Sequence, residues 1–82
     1  MSRAINSRKY TSRPPASCRG ARKAWDLFAA YESDRLRAKP PTADAPARTI
    51  VGMVRTHMDY WVWVMEYSDG EYDEIDAIEL RD

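Results

Sequence analysis

Eight side chains near the C-terminus have the types and spacing to recognise a partner: Trp61, Trp63, Tyr67, Glu71, Tyr72, Asp73, Glu74 and Asp76. Aromatic faces attract cations and stack on bases, and carboxylates at this density imitate the regular phosphate charge of a nucleic acid. The chemistry they point to is binding. His57 beside Asp59 has the look of an acid–base pair, but no nucleophile or second carboxylate accompanies it, so it reads as a surface turn histidine. Cys18, flanked by Ser17 and Arg19, has no partner base and reads as a bystander. One cysteine and one histidine make neither a disulfide nor a zinc ligand set. With no phosphate-cradling glycine loop either, the sequence reads as a chain without catalytic activity or cofactor. The lone cysteine fits a reducing, cytoplasmic setting.

The formal net charge of zero conceals a segregation. From Met1 to Ala24 there are seven basic residues, Arg3, Arg8, Lys9, Arg13, Arg19, Arg22 and Lys23, and no acid. From Glu66 to Asp82 there are eight acids against the single base Arg81. The basic set is a candidate phosphate-binding surface and the acidic set a candidate for a basic protein surface, each steering a different class of partner. The plainer expectation is that the arm screens the acidic region of its own chain.

Residues 1–19 contain Pro14-Pro15 and little to bury beyond Ile5 and Tyr10, and read as a basic disordered arm. Residues 20–82 read as one small domain. The stripe Ala24, Leu27, Phe28, Tyr31 and Arg35, with Trp25 and Leu36 at its margins, predicts an amphipathic helix over 20–38. Lys39-Pro40-Pro41 ends it, because the residue before proline is pushed out of αR. Residues 39–48 are a proline-rich linker, and 49–80 a β-meander. Gly52 sits in the middle of its first strand, which predicts a bulge or bend. Asp69-Gly70 suits a two-residue type I′ hairpin turn. That turn sets a register in which Val64 faces Ile75, Trp63 faces Asp76 and Glu66 faces Asp73. Val62, Val64, Ile75 and Ala77 then share one face, with Trp61, Trp63, Met65, Tyr67 and Tyr72 on the other.

The fold class is therefore α+β: one N-terminal amphipathic helix on a small bent antiparallel three-stranded sheet, with Trp25, Leu27, Phe28 and Tyr31 against one side. A chain of 82 residues buries only about 60% of its unfolded surface, so homo-oligomerisation is a second way to hide the apolar face that remains. The run from Trp63 through Tyr67-Ser68-Asp69-Gly70-Glu71 to Ile75, followed by Ala77-Ile78-Glu79-Leu80, resembles the third and fourth strands of Tudor-type and related SH3-like barrels. The resemblance covers about thirty residues. It implies an SH3-like half-barrel, and an aromatic cage for methylated lysine or arginine on Trp61, Trp63, Tyr67 and Tyr72. A Tudor barrel has five strands and only three are visible after Ala47.

The preferred expectation is a non-enzymatic protein-binding module, a small inhibitor or adaptor of the kind encoded by phages and mobile elements, whose acidic aromatic hairpin engages a basic, nucleic-acid-binding surface of its target. The alternative is a nucleic-acid-binding module using the basic arm and the aromatic strand face. No apolar run is long enough for a membrane span or a secretory signal, so no membrane partner is expected.

Overall fold

The computed structural model describes residues 8–57 and 59–80, with side chains described for 8–57 and 59–78. Its order is helix α1 (Arg19–Ala38), strands β1 (Ile50–His57), β2 (Trp61–Tyr67) and β3 (Tyr72–Asp76), and a closing 3₁₀ turn (Ala77–Leu80). The strands form one open antiparallel sheet in the order β1-β2-β3. A small α+β fold is what the patterning demanded.

Helix α1 starts after Cys18, whose carbonyl accepts the Arg22 N–H at 2.8 Å. It ends at Lys39, whose N–H reaches the Arg35 carbonyl at 2.9 Å just before the two prolines stop the ladder. The buried stripe is Ala21, Ala24 and Phe28, with Trp25 and Leu27 half-buried beside it. Two alanines let the backbone come close to the sheet, and Phe28 fills the space between. The stripe departs from the sequence reading at Tyr31, which is exposed; after Phe28 the half-buried positions are Glu32 and Leu36.

The hairpin register is one residue away from the expected one. The Gly70 N–H bonds the Tyr67 carbonyl and the Tyr67 N–H bonds the Glu71 carbonyl, each at 3.0 Å. Only Gly70 has positive φ, at 88°. The loop is thus Ser68-Asp69-Gly70, a three-residue turn closed by a glycine bulge, and not a type I′ pair in which Asp69 would also need φ > 0. Asp69 stays in ordinary backbone space and its Oδ1 accepts the Glu71 N–H at 2.9 Å.

One extra loop residue moves every pair. Trp63 now faces Ile75, Val64 faces Glu74, Met65 faces Asp73 and Glu66 faces Tyr72. The expected clash of Glu66 with Asp73 does not arise, and Ile75 joins Trp63, Met65 and Tyr67 on the helix side. Tyr72 passes to the outer face.

Strand β1 carries the bulge foreseen at glycine, between Ile50 and Gly52. The segment before the helix lies along this strand's free side: Tyr10 and Met53 exchange both backbone hydrogen bonds at 2.8 Å. The Tyr10 ring sits 6.3 Å from the Trp63 ring, and Pro14 is buried. Lys9 crosses Gly52 so closely that a Cβ there would stand 2.5 Å from the lysine Cε. Within the arm read as disordered, therefore, Lys9 and Tyr10 are placed against the sheet. Tyr10 supplies two backbone bonds and an aromatic contact, more than its sparse apolar content suggested.

Candidate partner-binding surface

The eight candidate residues fall into three groups. Trp63 and Tyr67 are core residues, 7% and 3% exposed, turned toward the helix. Trp61 is half-buried on that side, with the His57 ring edge-on at 5.0 Å and the Arg55 guanidinium 4.8 Å from its centre. The aromatic strand face is thus engaged within the chain, and among the described residues no open cage forms on it.

Asp73 belongs to a second, ionic group. Its Oδ2 accepts the Tyr67 hydroxyl at 2.7 Å, and both its oxygens are bonded by Arg35 from the helix, one at 3.0 Å. Alongside, Arg48 donates two bonds to Glu32, at 2.8 and 2.9 Å, and one to Asp69 at 3.1 Å. Its guanidinium lies 3.9 Å from the Tyr67 ring centre. The cation that Tyr67 was expected to receive from a partner is the chain's own Arg48. Burial and the neighbouring Asp73 carboxylate push the Tyr67 hydroxyl well above the usual tyrosine range. The Arg48 hydrogen bonds hold the Glu32 carboxyl below its ordinary value, and Glu32 in return raises Arg48. Asp69 is lowered first by the Glu71 N–H and then by Arg48.

The geometry keeps this cluster in one place. Thr49 N–H bonds Ser68 Oγ at 2.9 Å, and Ser68 N–H bonds the Thr49 carbonyl at 2.8 Å, so the end of the linker is clipped to the hairpin loop. The sequence reading missed Arg48. Its signal was a cation isolated in a proline-rich linker ahead of an acid-rich hairpin.

Glu71, Tyr72, Glu74 and Asp76 make the third group, at the open side of the sheet. Glu71, Tyr72 and Glu74 are exposed, Tyr72 by 58%. Asp76 is half-buried, with Oδ1 accepting the Ile78 N–H at 2.9 Å. Tyr72, Glu74 and Asp76 face Glu66, Val64 and Val62, which places all of them on the face away from the helix. Here an exposed ring stands among carboxylates, beside half-buried Val54 and Val64.

The candidate phosphate-binding residues are less free than the sequence implied. Arg13 forms a two-pronged pair with Asp26, both bonds at 3.0 Å, which raises the arginine and lowers the aspartate. Lys9 Nζ lies 4.0 Å from Glu66, and the Arg8 guanidinium lies 5.6 Å from the Tyr10 ring centre. Arg19 and Lys23 are exposed on the first turns of α1, and Arg22 is half-buried. Arg3 lies outside the described residues. No helix among those described is long and apolar enough to cross a membrane. The chain matches no protein-family model, no curated protein and no solved structure.

Proposed function

We propose that this chain is a non-enzymatic protein-binding module, a small inhibitor or adaptor that uses Glu71, Tyr72, Glu74 and Asp76 to engage a basic, nucleic-acid-binding surface of a target protein. The observation that carries the reading is the division of the acids. Asp69 and Asp73 are matched by Arg48 and Arg35, whereas Glu71 and Glu74 stand exposed beside an exposed tyrosine. Tyrosine is favoured at interfaces because it offers apolar area with a polar tip. Exposed carboxylates around it add steering toward a cationic surface. The nucleic-acid alternative has less support: the aromatic face that would stack on bases is turned to the core, and Arg13 is already paired.

Two probes separate the readings, a lysine-rich peptide and a mixed-sequence single-stranded oligonucleotide. Wild type should bind the peptide, with affinity falling as salt rises through screening over a Debye length of about 8 Å under physiological conditions. Glu71→Lys and Glu74→Lys combined should abolish peptide binding with circular dichroism unchanged. Tight, salt-sensitive binding of the oligonucleotide by wild type, weakened by neutralising Arg8 and Lys9, would replace this reading with the nucleic-acid one.

A further inference from the structure

The two edges of the sheet are finished differently. The outer edge of β1 is taken at its middle by Tyr10, which satisfies both backbone groups of Met53. The outer edge of β3 has no such cover among the described residues. Because Tyr67 N–H bonds the Glu71 carbonyl, the alternation of an antiparallel ladder turns the N–H and C=O of Tyr72, Glu74 and Asp76 away from β2. The Asp76 carbonyl is taken by the 3₁₀ turn that follows, and the groups that remain, both at Tyr72 and Glu74 and the N–H at Asp76, form an unpaired row that is a template for another strand. Its side chains select the strand. A second copy of β3 laid antiparallel alongside, centred on Ile75, would bring Glu74 against Asp76 of the other copy and Asp76 against its Glu74, and like charges across a ladder are destabilising. An extended segment with lysine or arginine at alternate positions meets the opposite sign on that face. On the helix-side face it meets Ile75, which is buried, and Asp73, already held by Arg35.

We propose that β3 accepts an extended basic segment of a partner protein as a fourth strand, with backbone hydrogen bonds to Tyr72, Glu74 and Asp76 supplying affinity and the carboxylates supplying choice of partner. This mode rests on the reading of the chain as a binder of basic protein surfaces, and adds how the partner is held.

The test uses the full chain and a labelled decapeptide of alternating lysine and threonine. Two further versions are N-methylated, one at every lysine amide and one at every threonine amide. N-methylation keeps the charge and removes the donors that one side of an added strand must offer. The parent peptide should bind and slow amide exchange at Tyr72, Glu74 and Asp76. One of the two methylated series should weaken binding by about tenfold or more, since several backbone bonds are lost together. Glu74→Lys should weaken all three peptides with the fold retained. Equal binding of all three peptides, with no protection on β3, would overturn strand addition and leave a side-chain-only acidic surface standing. No binding of the parent peptide at any salt concentration would remove the functional reading itself. Concentration-dependent protection of β3 without peptide would show that a second copy occupies the edge, which also overturns the proposal.

Discussion

The helix meets the sheet through two unlike halves. Its first half is apolar: Ala21, Ala24 and Phe28 close on Met53, Trp63, Met65 and Ile75 without a polar group. Its second half is ionic: Glu32 and Arg35, on the same helical row, reach Arg48 and Asp73 around the Tyr67 ring. The two halves differ in what they specify. Apolar burial is non-directional and supplies most of the stability, whereas paired guanidiniums and carboxylates have directions and fix where the linker end and hairpin loop sit. The difference also decides which acids are paired within the chain, because the ionic half has taken up Asp69 and Asp73.

The apolar half should be the more fragile to truncation. Phe28→Ala is expected to cost about 3–5 kcal/mol, the usual range for emptying a buried phenylalanine site, read as a large fall in urea midpoint. For a domain of this size that approaches the whole stability.

A pair of aspartate substitutions sharpens the boundary between the two sheet faces. Met65→Asp puts a charge into the apolar half and should abolish the cooperative melt. Val64→Asp, half-buried on the outer face and opposite Glu74, should keep native circular dichroism at a cost of about 1–2 kcal/mol. Reversed severities would restore the two-residue turn register in which Val64 meets Ile75.

Arg48→Ala attacks the ionic half. Loss of the two-pronged bond to Glu32 and of the stacking on Tyr67 should cost about 1–3 kcal/mol, above an ordinary surface pair because the guanidinium is largely covered. Lysine in its place should recover little, having neither the fork nor the flat face.

Acid should loosen the same half. Glu32 is held below its ordinary 4.5 by Arg48, so its contribution is complete above about pH 4.5 and is lost as pH falls through its folded value. A stability profile should decline on that acid side, and Glu32→Gln should give a lower but flatter profile there. Equal acid slopes in wild type and Glu32→Gln would mean that other carboxylates, such as Asp26, carry the decline. The smallest effect is expected from Arg13→Ala, whose exposed pair with Asp26 lies in both solvent and salt screening. Its melting curve should all but overlay that of wild type.

The sequence by itself determined the elements. Apolar periodicity, the prolines after Lys39 and the aromatic and β-branched runs fix one helix and three strands, since these preferences act over a few neighbouring residues. Gly52 announced its bulge and Gly70 its turn, because few other residues accept such positions. Two decisions needed the tertiary structure. Two-residue and three-residue loops are both open to Tyr67-Ser68-Asp69-Gly70-Glu71, and the choice moves every later side chain to the opposite face. Bringing Ile75 to Trp63 while parting Glu66 from Asp73 is a gain that appears only once helix and sheet are together. The ionic cluster is of the same kind: Glu32, Arg48, Asp69 and Asp73 span forty-two residues of chain, and no local pattern relates them. Which carboxylates are neutralised and which stay exposed was therefore decided by packing, because charges pair by distance in space and not by order along the chain.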